Sequence, residues 1–523
     1  MKSTLHKNRV REKRLRRAKR VDKRRRRIQY RLRDREWDDQ SRPMFKATNF
    51  EYDVADRIRA FDIGGIGAIH RLARRVGLIK AIDRKLHLLK KHLPYHESDH
   101  VLNVAYNLLS GGDCLEDIEL RRNNEVFMDA LGAQRIPDPT TEGDFCRRFT
   151  VTAIEDLMGA INETRLRVWK EQPREFFEEA VIDGDGTIVP TLGECKEGID
   201  YSYKGVWGYH PLLISLANTR EPLFVVNRSG NRPSHEGAAE WFDRAKDLAL
   251  KAGFRKVRLR GDTDFTQTRE LDRWDEEGVR FVLGMDARAN LIERAESLEE
   301  SGWRGLARRP RYEIETEPRE KPERYKEAIV VEREFQNTKL VSEHVAEFEY
   351  RPLACAKSYR VVVLRKNLSV EKGELWLFDD VRYFFTITNN RDASAAEIVF
   401  DSNDRCDQEN LIEQLKNGVR ALNAPVDNLV SNWAYMVMAS LAWTLKAWFA
   451  LLLPERGRWA QRYREEKAST LRMEFKKFVN AFMRVPAQVI RTGRRIVLRL
   501  LSWNPFHRIL LRAADAWGEP LRC

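Results

Sequence analysis

Arg405-Cys-Asp-Gln-Glu-Asn-Leu-Ile-Glu-Gln-Leu-Lys416 reads as a helix after an acidic start. At about 100° per residue, Arg405 and Glu409 stand one turn apart and Glu409 and Lys416 two turns apart, so all three share a face. A carboxylate flanked by two cations suits a divalent metal beside a phosphate backbone. The Glu ligates the ion while Arg and Lys hold phosphate oxygens on either side. The competing reading is a solvated helix with an i,i+4 charge pair. Two further segments decide between them.

Val181-Ile-Asp-Gly-Asp-Gly-Thr-Ile-Val189, closed by Pro190, is an apolar run rich in β-branched residues and interrupted by two carboxylates. It predicts a buried strand with Asp183 and Asp185 on one face, which demands a cation. An EF-hand loop would use Asp183, Asp185, Thr187 and Glu194, but Ile188 stands where that loop requires glycine and the flanks read as strand. Val257-Arg-Leu-Arg-Gly-Asp-Thr-Asp-Phe265 predicts a short strand ending at Gly261 and Asp262, then a helical pattern from Thr266 through Trp274. A carboxylate at a strand's C-terminal end lies where α/β sheets place their ligands. Taken singly, Asp262 or Asp264 reads as an N-cap.

Strand Asp, strand-end Asp and helix Glu, in that chain order, form the constellation of an RNase H-like nucleotidyl transferase. The sequence resembles bacterial insertion-sequence transposases of the DDE type, in the branch with Asp-Gly-Thr, Arg-x-Asp and Tyr-x2-Arg-x3-Glu-x6-Lys motifs. Asp185-Gly-Thr187, Arg260-Gly-Asp262 and Arg405-x3-Glu409-x6-Lys416 carry the likeness, over roughly residues 60 to 510. One position departs from it: the motif tyrosine is Ser402. The resemblance implies Asp185, Asp262 and Glu409 as ligands of two Mg2+ (or Mn2+) ions, with Asp183 and Glu413 in reserve. It also implies Arg405, Lys416 and Ser402 at DNA, with Ser402 a minor phosphate contact or the helix N-cap. The activity implied is cleavage at the element's ends and joining to target DNA. The partners are both duplexes, held by a homodimer on paired ends. A stand-alone RNase H-like nuclease and an inactive DNA-binding descendant are the competing classes.

The chain has 523 residues, 42% of them hydrophobic, and a net charge of +14. The first 42 residues hold 19 Lys/Arg against 6 Asp/Glu, so one arm carries +13 of that excess and would bind phosphates. Six cysteines, at 114, 146, 195, 355, 406 and 523, are scattered without a Cys-x2-Cys pair. This points away from zinc ribbons and disulfide frameworks and toward a reducing cytoplasm, at the nucleoid. The basic N-terminus lacks an apolar export core. Leu429 to Leu445 is short of the ~20 residues of a membrane span and meets Lys446, so it predicts a helix buried behind the catalytic sheet and no membrane association.

The fold class expected is α/β: an RNase H-like mixed sheet flanked by helices, with a mostly β insertion domain and helical N- and C-terminal regions. The segments expected are a basic arm (1–45), a helical DNA-binding region (46–175) and the first part of the catalytic core (176–287). A β-rich insertion (288–390), the rest of the core with the Glu helix (391–455) and a basic helical C-terminal region (456–523) follow. Helices are expected at Ile66 to Val76, Ile79 to Leu89 and Val101 to Leu109, and from Ser234, as N-cap, to Ala252. Asp138-Pro-Thr-Thr141 reads as a turn. In the first core segment, Tyr209 to Ala217 and Pro222 to Asn227 predict a hairpin. The insertion offers strand-like runs at Ala328 to Val331, Tyr359 to Leu364, Leu375 to Phe378 and Tyr383 to Thr388. Arg491, Arg494, Arg495 and Arg499 fall at helical spacing. His92, His96 and His100 recur every four residues, but Pro94 interrupts any helix there, so they read as surface histidines. Gly64-Gly-Ile-Gly67 lacks the features of a phosphate loop, and no nucleotide cofactor is expected.

Overall fold

In the computed structural model, residues 2–33, 58–308, 329, 332–333, 336–372, 375–492 and 495–518 are described. The chain divides into two compact units. One comprises residues 1–172, 195–197 and 413–523, the other 173–194 and 198–412.

The second unit is built on a mixed sheet of nine strands among the described residues. In chain order these are β1 (Glu179–Gly186), β2 (Leu212–Leu216), β3 (Glu221–Val226), β4 (Lys256–Gly261), β5 (Arg280–Met285), β6 (Arg304–Gly305), β7 (Gln336–Tyr350), β8 (Tyr359–Lys372) and β9 (Leu375–Thr388). Their spatial order is β6-β7-β8-β9-β5-β4-β1-β2-β3. β1 runs parallel to β4 and β4 to β5, while β2 and β3 form the antiparallel hairpin expected on β1's other side. β1 has no exposed residue, its positions being buried or half-buried, as its apolar composition predicts for a central strand.

The Asp-Gly-Asp-Gly run of β1 follows from the strand's period of two. Asp183 and Asp185 take one face; Gly184 and Gly186 take the other. A Cβ on Gly184 would lie 2.5 Å from the Phe242 ring, on the helix Ala238–Ala252, so only glycine lets that helix close on the sheet. The helix begins at Gly237, whose φ of 72° suits glycine; Ser234, the expected N-cap, is too early in the chain. The helical pattern read from Thr266 begins at Leu271, after a 3-10 turn at Thr263–Phe265.

The 288–390 stretch differs most from expectation. Its strands extend the core sheet: β9 pairs with β5 from Phe385↔Met285 to Thr388↔Val282, and β8 and β7 follow in an antiparallel meander. The separate runs expected at Leu375 and Tyr383 are one strand, and β7 is an addition, because Gln336 to Glu343 lacks a clean apolar alternation. Val282, Val345, Val362, Leu364, Ile398 and Val399 form one core beneath the helix Ala395–Asp404. Of the run Ala328 to Val331 only Ile329 is described, in helical conformation, and residues 309–328 lie outside the described residues.

The first unit is helical. Ile66–Arg75, Leu78–Lys85 and Glu97–Leu109 fall close to their expected bounds, and Val151–Trp169 is a long helix beyond those expected. Asp138-Pro139 is a helix start rather than a turn: the Asp138 carboxylate accepts from Thr141 N at 2.9 Å and Pro139 opens the helix Pro139–Arg147. Among the described residues one helix, Leu429–Leu451, is long and apolar enough to cross a membrane, and it is wholly buried. It runs past the expected end at Leu445, and within its own unit it packs on Glu97–Leu109 and Val151–Trp169. Lys446 is accommodated by the Leu471 carbonyl at 2.7 Å and the face of Trp443.

At the C-terminus the helical reading holds for Ala460–Arg472 and His507–Ala516 and fails at the arginines between them. Ala487–Thr492 and Arg495–Leu500 form a hairpin that pairs with Ala60–Phe61, so Arg491, Arg495 and Arg499 lie on strands; Arg494 is outside the described residues. Val489, Ile490, Ile496, Val497 and Leu498 are β-branched or apolar at strand positions, and the spacing of the arginines alone is misleading. The basic arm is a helix, Lys2–Arg31, tied to this region by Arg24 Nη1 to Leu500 O at 2.6 Å and by Arg17 and Arg508 to Asp515 and Asp22.

If β5, β7 and β8 share one core, Ile398→Ala costs about 2–5 kcal/mol. It also raises amide exchange in β7 and β8 together with β5. Loosening confined to the helix Ala395–Asp404 would show that the strands fold apart from it.

Candidate active site

Strand pairing brings two of the acids side by side. Asp183 is in register with Arg260 across the parallel pair β1 and β4. Two residues further on, Asp185 and Asp262 therefore leave the adjacent C-terminal ends at one level, on strands about 4.8 Å apart. Asp262 caps the 3-10 turn Thr263–Phe265, its Oδ1 accepting from Asp264 N at 3.0 Å, so the cap and the candidate ligand are one carboxylate.

Arg405 stands at the junction of two helices, Ala395–Asp404 and Cys406–Glu413, and does not share one continuous helix with Ser402. Its guanidinium reaches Asp185 Oδ2 at 3.4 Å and Glu409 Oε1 at 3.7 Å. It also acts electrostatically on Asp262. One cation thus faces all three acids. Asp185 and Arg405 are mostly buried, whereas the Glu409 side chain is 59% exposed. Burial pushes the Asp185 carboxyl up to about 7; Arg405 opposes this, and Asp262 and Glu409 add to it. Burial likewise raises Asp262, against Arg405.

Three residues that the sequence does not single out fix the Glu409 helix to the sheet. Buried Gln408 donates to Leu213 O at 3.2 Å and accepts from Ser215 Oγ, both on β2. Arg220 donates to Asp407 at 2.9 Å. The available signal is Gln408, an amide on the apolar side of the helix next to Leu411 and Ile412.

Asp183, the reserve ligand, is committed elsewhere. Arg260 grips it with Nε and Nη2 at 2.7 and 2.9 Å and reaches Asp401 Oδ1 and O with Nη1, both at 3.0 Å. Burial works against the Arg260 charge, but Asp183 and Asp401 outweigh it and hold the guanidinium protonated. Glu413, the other reserve, accepts from Asn417 at 2.8 Å and belongs to the first unit. Lys416 lies there too, in a π turn, Gln414–Gly418, closed by Val419 N to Gln414 O at 2.7 Å. That turn breaks the constant 100° step that would place Lys416 on Glu409's face. Ser402 is inside the helix Ala395–Asp404, whose N-cap is Ser394; the N-cap reading of Ser402 is wrong.

Of the three histidines, His100 is buried, 3.1 Å from Glu142 and stacked on Phe145, contrary to its reading as a surface residue. His92 and His96 are exposed.

An all-oxygen set of two half-buried aspartates and an exposed glutamate fits a hard divalent cation, because three converging carboxylates repel one another and Arg405 offsets that only in part. The family described as Transposase DDE domain group 1 matches residues 62–517, and the chain belongs to it. DDE transposases generally use divalent metals. No curated protein sequence matches the chain. Among solved structures, a piggyBac transposase synaptic complex with hairpin DNA is similar at a TM-score of 0.37 and 9% identity, over 81% of this chain and 80% of that one. The family match alone carries the assignment.

The raised Asp185 pKa has a definite sign for stability. Between the ordinary value of 3.8 and about 7 the folded state keeps a proton that the unfolded chain has lost, so metal-free stability falls as pH rises across that window and levels off above it. Asp185→Asn removes the loss. With chelator present, its stability relative to wild type should be greater at pH 8 than at pH 5; denaturant unfolding at both pH values checks this, and equal differences would refute it.

Proposed function

We propose that this transposase cleaves the ends of a bacterial insertion sequence and joins them to target DNA, with Asp185, Asp262 and Glu409 as its metal-binding acids. The convergence of these three on one guanidinium, from a central strand, the adjacent strand end and a helix, is the observation that carries the reading. The strand order β3-β2-β1-β4-β5, antiparallel then parallel, supports an RNase H-like core. Two Mg2+ or Mn2+ ions bound there would activate water, then a 3′-hydroxyl, and stabilise the leaving oxygen.

The protein's own residues do the positioning. Asp185 is half-buried at the end of β1 and would hold a cation only once deprotonated and free of Arg405. Arg405, released from Asp185 and Glu409, has a fork suited to a phosphate next to the scissile bond. Gln408 and Arg220 hold the Glu409 helix on β2 while that exchange occurs. Lys416 is assigned to phosphate by motif spacing alone, and Ser402 to a minor contact from mid-helix. The duplex partners are the element ends and the target, held by a homodimer in the cytoplasm at the nucleoid. The docked basic helix Lys2–Arg31 supplies sequence-independent affinity.

Each of Asp185→Ala, Asp262→Ala and Glu409→Ala should abolish metal-dependent cleavage and strand transfer on end-containing DNA while leaving end binding nearly unchanged. Near wild-type cleavage by Glu409→Ala would remove the helix from the site. Cleavage without strand transfer in the wild type would favour a stand-alone nuclease, and neither reaction an inactive descendant. Ser402→Ala should lower cleavage far less than Arg405→Ala.

Deleting residues 1–42 should weaken binding evenly across DNA sequences. The log–log salt slope should fall by about 0.9 for each phosphate that the truncated chain no longer neutralises. An unchanged slope would separate the arm from DNA.

A further inference from the structure

A second group of metal-capable side chains lies in the first unit, in the loop between the helices Leu78–Lys85 and Glu97–Leu109. His92, His96 and Glu97 bring one donor atom each within 4.8 Å of one another. The two imidazoles stack with centroids 4.0 Å apart, and His92 Nε2 lies 3.1 Å from Glu97 Oε2.

Glu97 is the unusual member. Its carboxylate is 3% exposed although both histidines beside it are open to solvent. Its Oε1 accepts from the amides of Leu88 and Leu89, each at 3.0 Å, so the side chain cannot swing away and Oε2 is aimed at the histidines. Backbone donors that orient a carboxylate in this way are what metal-binding acids use outside their ligands. Glu97 and Asp99, both in the first turn of their helix, offset its positive end, where a lone cation would be disfavoured.

We propose that His92, His96 and Glu97 bind one Zn2+-class ion through two imidazole nitrogens and a carboxylate oxygen, with water completing the shell. Two nitrogens and one oxygen suit zinc, cobalt or nickel and exclude magnesium and calcium, which take oxygen ligands. Tetrahedral zinc with bonds of ~2.0–2.2 Å places its donors about 3.3–3.6 Å apart. The His92–Glu97 pair, at 3.1 Å, is within a few tenths of an ångström of that separation. Rotation of the exposed His96 side chain closes the remainder. The ion would clip the loop carrying Lys90 and Lys91 to the start of the helix Glu97–Leu109. This site is independent of Asp185, Asp262 and Glu409.

The test uses full-length protein stripped with chelator, carrying Asp185→Asn and kept in excess Mg2+ to silence the carboxylate cluster. Zn2+ is titrated by calorimetry and Co2+ by visible absorbance. One ion per chain should bind, the Co2+ spectrum should be that of a low-coordinate nitrogen site, and Zn2+ should raise the unfolding temperature. Adding His92→Ala and His96→Ala, both exposed and compatible with folding by circular dichroism, should weaken Zn2+ at least tenfold, since loss of an outer-shell partner alone costs about 10–100-fold. Zn2+ binding of equal affinity in the histidine variant, or no Zn2+ bound by the Asp185→Asn protein, would overturn the proposal.

Discussion

The buried bridge from Arg260 to Asp183 and Asp401 is the constraint from which the site's geometry follows. Arg260 presents its donors in a rigid fork, and its hydrogen bonds tie together β1, β4 and the helix Ala395–Asp404. Removing one partner would strand a buried charge at a cost of about 3–5 kcal/mol. The bridge therefore acts less as net stabilisation than as registration. With Asp183 locked against Arg260, the parallel strands cannot slip, and Asp185 and Asp262 must emerge at the same level.

The same bridge explains why two acids of similar appearance have different fates. Asp183 and Asp185 share a face of one strand, yet the first meets a bidentate Arg and the second a single, longer contact from Arg405. A satisfied carboxylate is structural. A half-buried one with a single distant cation and a carboxyl pushed up to about 7 has no such commitment.

Much of this is legible in the sequence. Apolar β-branched residues around Asp-Gly-Asp-Gly predict the central strand, and the period of two places the acids together because the alternate position had to be glycine for the Phe242 helix to close. The partners of the acids are less legible, since Gln408 to Ser215 and Arg220 to Asp407 join residues far apart in the chain and leave no periodic trace. The π turn at Gln414–Gly418 leaves no sequence signal for a local reason: it depends on packing, while a sequence is read with a constant helical step. The C-terminal arginines mislead because exposed arginine is tolerated on helix and strand alike, and the intervening Val and Ile residues hold the better signal.

The long interval between Asp262 and Glu409 reads in the sequence as an insertion to be set aside, but the sheet gives it a mechanical part. β9 pairs with β5, β5 with β4, and β4 carries Asp262 at its end. On β5, β7 and β8 of that sheet rests the helix Ala395–Asp404, through Ile398 and Val399 against Val282, Val345, Val362 and Leu364. That helix delivers Asp401 to Arg260 and ends at Arg405, one turn before Glu409. The third acid is thus positioned twice, by Gln408 on β2 and by the extended half of the sheet through Asp401. Such double support is what a site of repelling carboxylates requires, because their own electrostatics would drive the helix away from the strand ends.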